Sequence, residues 1–361
     1  MKRLLFLFIV VVFIGACRKD EKISVAETTP YTFDLPQGID EYEGLMPIPA
    51  DNPMTEEGVE LGRLLFFDER LSANNTQSCA SCHIPEYSFS DTTAVSIGID
   101  GIAGDRNAMP IINLGWAADG LFWDGRSATM EEQAFGPVVN PVEMHDTWPN
   151  VAEKLQADPQ YPTLFEQVFG SSQIDSVMVS KAISQFERTL ISGNSPFDKY
   201  LNGGIGASGW SAAEELKAIQ GFAIFMDENK GDCFHCHGSS FEPLFTDNLY
   251  HNNGLDASFT DKGLGAVTGN PSDDGKFKTP TLRNLAFTGP YMHDGRFETL
   301  GEVVDHYSFG LVNSPTIDPL MKGLPDGGVN LTPVEKDLLI TFLLSLSDSS
   351  FVTNPAFQDP E

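Results

Sequence analysis

Four of the five cysteines stand in two C-x-x-C-H runs: Cys79, Cys82 and His83 in CASCH, and Cys233, Cys236 and His237 in CFHCH. In an exported chain this spacing reads as covalent c-type haem attachment. The two thiols add across the vinyl groups of one haem, and the histidine that follows is placed to give an imidazole nitrogen to the iron. Two such runs in 361 residues predict a dihaem cytochrome. Such a chain either carries electrons or does chemistry with them. A carrier needs both irons fully ligated and shielded. A peroxidase needs one iron with an open sixth position and a base above it.

The stretch after the first run bears on that choice. His145 is the next histidine after His83, and Met109, Met130 and Met144 lie in other motifs. The first haem is therefore expected to lack a strong distal ligand. The segment LFWDGRSATMEEQAFGPVVNPVEM gathers Trp123, Asp124, Arg126, Gln133 and Glu143. By composition alone Glu143 is a solvated or capping carboxylate and Trp123 a core residue. Over an open iron, the same carboxylate could take a proton from hydrogen peroxide and deliver it to the leaving oxygen.

The elements that must position these residues repeat once. EEGVELGRLLFFDERLSANNTQSCASCH precedes the first histidine and AAEELKAIQGFAIFMDENKGDCFHCH the second. Each has a helical apolar pattern with a glycine four residues ahead of a phenylalanine, Gly62 with Phe66 and Gly221 with Phe225. Residues four apart share a helix face, and glycine lets that face approach another element closely. Each half also ends in an apolar helix, Val177 to Leu190 in the first and LTPVEKDLLITFLLSLS in the second. In the latter, Thr332 suits the N-cap, Pro333 the first helical position and Glu335 a capping box. Strand signals are sparse. The expected fold is mainly α, with two cytochrome c-like domains that each hold one covalent haem, divided at the glycine-rich LNGGIGASG. The domains run over 45–203 and 204–361.

The remaining cysteine belongs to the N-terminus. Lys2 and Arg3 precede an apolar run from Leu4 to Ile14, then Gly15, Ala16 and Cys17. This reads as a secretory signal over 1–17, too short for a comfortable transmembrane helix. Its I-G-A-C ending resembles a bacterial lipobox, which makes Cys17 a lipidated residue anchoring the protein to a membrane, followed by a flexible tether over 18–44. The expected location is the periplasmic side of the bacterial cell envelope. The net charge of −29 argues against nucleic acid, whose phosphates would repel it. It favours a basic redox partner drawn in by long-range attraction.

Taken together, LGRLLFFDERLS, the two C-x-x-C-H runs, RNAMP, FWDGR, EEQAFGPVVNPVEM, TPTLRN, TGPYMHDGRF and TL-x-E-V-V-D-H-Y resemble the bacterial dihaem cytochrome c peroxidases and MauG enzymes. The resemblance spans about Pro53 to Leu346 and sets aside a zinc or redox-thiol reading of the cysteines. It implies that Glu143 is the distal acid–base residue, Gln133 a second distal-pocket residue, and Trp123 the electron relay between the haems. It implies an interdomain calcium ion held by Asn107, Thr288 and Pro290, consistent with oxygen-only ligation.

Two departures separate this chain from the family peroxidases. The loop SFSDTTAVSIGIDGIAGDRN carries no distal histidine, so the first site is expected to be open without reductive activation, as in MauG. Tyr307 stands where the peroxidases place a methionine ligand to the second haem, again as in MauG. Methionine raises a haem potential, whereas a phenolate is a hard anionic donor to ferric iron. Met292, His251, His293, His306 and Met321 remain alternative sixth ligands, and His235 is a surface residue. The resemblance implies a hydrogen peroxide-reducing enzyme fed at its C-terminal haem by a small cytochrome c or copper protein. Family peroxidases are often homodimers. The alternatives are a MauG-like enzyme that oxidises a protein or organic substrate, and a non-catalytic electron carrier.

Overall fold

The computed structural model describes residues 28–360 apart from 118, 240–241 and 322. The signal sequence and Cys17 lie outside these residues. The first half holds α1 (Glu56–Phe66), α2 (Met130–Val139), α3 (Trp148–Gln156), α4 (Tyr161–Phe169) and α5 (Ser176–Arg188). Then come α6 (Pro196–Gly203), α7 (Ala212–Phe225), α8 (Phe234–His237) and α9 (Leu264–Thr268), followed by α10 (Leu300–Phe309), α11 (Pro333–Ser345) and α12 (Ser349–Val352). The only sheet among the described residues is an antiparallel pair, β1 (Tyr250–His251) with β2 (Phe277–Lys278). None of the described helices is long and apolar enough to cross a membrane.

Two helix pairs organise the molecule, α1 against α5 and α7 against α11. Glycine makes both possible. A Cβ on Gly62 would sit 1.9 Å from the Ala182 carbonyl oxygen, and one on Gly221 would sit 2.0 Å from that of Leu338. With no side chain there, each pair closes until backbone meets backbone. The phenylalanine four residues on then enters a buried aromatic group: Phe66 with Phe89 and Phe186 in the first half, Phe225 with Phe245 and Phe342 in the second. The caps on α11 form as the sequence predicts, with Thr332 accepting from the Glu335 N–H and Glu335 reaching back in a capping box.

The two cores do not follow a division at residue 203. Phe197 and Tyr200 of α6 pack in the second core, while Phe351, Val352 and Phe357 return from the chain's end into the first. A flexible tether over 18–44 is also corrected where the structure describes it. Thr29 donates through its N–H and its Oγ1 to Glu57, Pro30 bridges to Thr55, and Trp116 Nε1 donates to the Tyr42 carbonyl. Ile39 is 1% exposed, in a small core with Met46, Trp116 and Leu244. The physical cause is the apolar run of Tyr31, Phe33, Leu35 and Ile39, which gains more by covering the body than by solvation.

Candidate functional site

Each C-x-x-C-H run folds as a short turn of helix whose histidine is fixed by a carbonyl. His83 Nδ1 lies 2.8 Å from the Phe89 carbonyl oxygen, and His237 Nδ1 lies 3.3 Å from that of Phe245. A carbonyl only accepts, so Nδ1 carries the proton and Nε2 keeps its lone pair. Burial holds both imidazoles neutral: it lowers the His83 pKa and pushes that of His237 down to about 4. A neutral imidazole with a fixed tautomer is the state that ligates iron. None of the four cysteines is in a disulfide, and burial raises every one of the thiols, Cys233 and Cys236 to about 12. Unpaired, protonated cysteines beside a ligand-ready histidine fit thioether attachment of haem rather than a disulfide or a thiolate metal site. Cys236 also lies close to Asp247 and His251. His251, however, is already clamped between Asp247 at 2.9 Å and Asp318 at 2.6 Å.

The N-terminal site carries its acid–base candidate in the turn that leaves α2. Asn140 Nδ2 donates to Glu143 Oε1 at 2.6 Å, and the Asn140 Oδ1 accepts the Val142 N–H. The Glu143 carbonyl accepts the Ile99 N–H, so the loop 96–103 lies over this turn. Burial pushes the Glu143 carboxyl above its ordinary value, against the downward pull of Asn140 and the Arg126 charge. The same carboxylate raises both Cys79 and Cys82, which puts it within electrostatic reach of the attachment site. Gln133 is half-buried on α2. Trp123 is buried in the 121–127 turn, with Nε1 donating to the Asn107 carbonyl at 2.9 Å. That backbone is tied to the second half, since the Asn107 N–H donates to the His293 carbonyl at 2.8 Å.

The C-terminal site differs at one helical position. The turns Trp123-Asp124-Gly125-Arg126 and His293-Asp294-Gly295-Arg296 each lead to a threonine-capped helix, Thr129 to α2 and Thr299 to α10. The repeated D-G-R and threonine were the unused signal for this second correspondence. The eighth residue of α2 is Pro137; the eighth of α10 is Tyr307. Tyr307 lies near both Cys233 and Cys236, and burial pushes its phenol up to about 12 while Asn253 pulls it down. Asn253 Nδ2 is 3.1 Å from the Tyr307 hydroxyl and 3.6 Å from Met292 Sδ. Asn253 and Asn140 are therefore partners of the candidate site residues that sequence reasoning missed, because a lone asparagine gives no sign of what its amide will meet. The alternative ligand His306 donates from Nε2 to the Asn253 carbonyl, and His293 stacks on Phe277 with centroids 3.6 Å apart. His235 is exposed.

Asn107 and the 288–293 segment meet through the Asn107–His293 bond, and Gly289–Pro290 is cis. Thr288 and Pro290 are buried, yet among the described residues their carbonyls accept no hydrogen bond. Buried carbonyls ordinarily find a partner, so this pair suits a hard cation.

The Di-haem cytochrome c peroxidase family profile matches residues 56–205. A "Methylamine utilization protein MauG" from Methylorubrum extorquens is 38% identical over 315 residues, covering 86% of this chain and 84% of the relative. "Cytochrome c551 peroxidase" from Nitrosomonas europaea is 38% identical over 270 residues, 73% of this chain and 76% of that one. A solved MauG-like protein associated with microbial copper homeostasis superposes with a TM-score of 0.79 at 36% identity, covering 91% of this chain and 99% of its own. With both C-x-x-C-H turns, both glycine-closed helix pairs and these relatives, the chain belongs to the di-haem cytochrome c peroxidase and MauG family and is a cytochrome-c-peroxidase-like oxidoreductase.

Proposed function

We propose that this protein reduces hydrogen peroxide to water at its N-terminal site with electrons that a small redox protein delivers at its C-terminal site. The observation that carries the reading is the asymmetry between two otherwise matched helices. Tyr307 offers a donor to the C-terminal haem, whereas Pro137, its counterpart, offers none to the N-terminal one, and Glu143 stands there instead. Bound at these sites, haem iron supplies the electron storage and the peroxide-binding position that no side chain here can supply. Cys79, Cys82 and His83 would hold one haem; Cys233, Cys236, His237 and Tyr307 would hold the other. Glu143 takes a proton from peroxide and returns it to the departing oxygen, with Asn140 fixing one carboxylate oxygen and leaving the other to act. Gln133 adds a polar group to that pocket. Trp123 lies buried between the Asn107 and β2 backbones and forms the path between the halves.

A calcium ion held by Asn107, Thr288 and Pro290 would stiffen the same junction. The signal sequence and Cys17 support export and lipid anchoring on the periplasmic side. A basic cytochrome c or copper protein fits the acidic surface as donor, and a homodimer fits the family.

The MauG-like reading has its own support in Tyr307, since a hard phenolate ligand favours oxidised iron and makes the second haem a poor acceptor from an ordinary cytochrome c. In that reading an organic or protein substrate replaces the donor. One experiment separates the readings. The oxidised holoprotein is mixed with one equivalent of peroxide and the haem spectrum followed, with and without a small reduced cytochrome. A prompt change without reductant, followed by turnover when reduced cytochrome is present, supports the peroxidase. A prompt change that reduced cytochrome does not discharge favours the MauG-like enzyme. Silence in both states would leave an electron carrier.

A further inference from the structure

The two proximal turns are built alike. In each, a phenylalanine with left-handed backbone, Phe89 at φ 57 and Phe245 at φ 51, offers its carbonyl to the histidine. The same carbonyl takes a second N–H, from Ile111 at 3.1 Å in the first turn and from Leu282 at 3.2 Å in the other. Leu282 leads directly into Arg283 and Asn284, both 0% exposed.

These two neighbours face opposite ways. Arg283 serves the C-terminal turn: Nε donates to the Pro243 carbonyl at 2.5 Å, and the guanidinium lies 5.6 Å from the Phe245 ring centroid. Its Nη1 and Nη2 grip Asp198 at 2.8 and 2.9 Å. Burial alone would raise the Asp198 carboxyl, but the guanidinium outweighs it and holds the group below its ordinary value. Asn284 serves the N-terminal turn. Its Nδ2 donates at 2.8 Å to Oγ of Ser88, the residue immediately before Phe89. Its Oδ1 accepts from Ser192 Oγ at 3.0 Å and from the Asp348 N–H at 2.8 Å, which leaves the amide little freedom to turn.

Ser88 and Phe89 are successive non-glycine residues with positive φ, 59 and 57. Such backbone persists only where its surroundings over-determine it. Phe89 is fixed by its buried ring, and Ser88 by a side chain from the other half of the molecule.

We propose that Arg283 and Asn284 form one brace for both proximal-histidine turns, so that a residue of the second half positions the imidazole of the first. The strength of the Nδ1–H bond governs how strongly a histidine donates to its metal. A residue that holds the Phe89 carbonyl in place therefore tunes the N-terminal haem without touching it. The inference rests on the reading of His83 and His237 as the proximal iron ligands.

The test uses the holoprotein with both haems and reads the midpoint potential of each and, for the N-terminal haem, also the iron–histidine stretch of the reduced protein. Ser88→Ala and Asn284→Ala are expected to lower the stretch and raise the potential of the N-terminal haem, leaving the C-terminal haem unmoved. Arg283→Gln is expected to shift the C-terminal signature. Ser88→Ala removes a single oxygen, so it keeps the test alive should Asn284→Ala fail to fold. An unmoved N-terminal signature in folded Ser88→Ala, or equal shifts at both haems, would overturn the brace. His83→Gly serves as the control: if the N-terminal stretch survives it, the ligand reading itself fails and the brace falls with it.

Discussion

Under the proposed function, Glu143 owes its task as a base to its surroundings. A base must be ionised before it can take a proton, and burial raises this carboxyl above its ordinary value. Turnover is therefore expected to fall as pH drops through that raised value, above the range of an exposed glutamate. Glu143→Gln should keep both haems, slow peroxide turnover by about 100- to 10,000-fold and abolish this acid limb in the pH–rate profile. Asn140→Leu removes the donor that favours the carboxylate, so its acid limb should move to higher pH. Unchanged turnover in Glu143→Gln would remove the residue from the mechanism. Tyr307 makes a matching case at the other haem. Tyr307→Phe should alter the spectrum of one haem only, and an unaltered spectrum would send the sixth-ligand search to Met292, which shares the amide of Asn253. The types of these residues are legible in the sequence. The asparagines that hold them are not, because a side-chain amide has no signature until its partner is placed opposite it.

At the scale of elements, the molecule depends on two helix crossings closed at glycine. Gly62→Ala and Gly221→Ala would each drive a methyl into the backbone of the facing helix, at Ala182 and Leu338. Overpacking of this kind costs about 1–3 kcal/mol, so thermal unfolding of either variant should come several degrees lower. An undiminished melting temperature would mean the helices part without penalty. β1 carries a second, pH-dependent tie. Asp247 and Asp318 raise His251 to about 9, from an ordinary value near 6.5. A raised pKa means the folded state binds the proton more tightly, so this stabilisation is complete below about pH 6.5 and fades as pH rises through 9. Melting of the wild type should therefore fall across that window more steeply than melting of His251→Gln. The glycine–phenylalanine spacing and the Thr332 cap were readable because helix periodicity is local. The tie at His251 was not, since Asp318 lies 67 residues away in sequence.

For the molecule as a whole, the net charge of −29 predicts kinetics rather than fold. Reduction by a basic donor should slow markedly between low and physiological ionic strength, whereas reaction with neutral peroxide should not. A donor rate indifferent to salt would argue against electrostatic docking. By itself the sequence determined the two C-x-x-C-H turns, the duplicated helix that precedes each, the mainly helical fold and the cluster from Trp123 to Glu143. All of these are short-range patterns, in which covalent spacing or helix periodicity places one residue relative to another. The tertiary structure alone decided how the halves share their parts. It folded residues 29–42 onto the body, returned Phe351 and Phe357 to the first core, and set Arg283 and Asn284 between the two proximal turns. Those pairings join residues far apart in the chain. Burial and the hydrogen-bonding needs of buried polar groups select them only once the whole chain has closed around them.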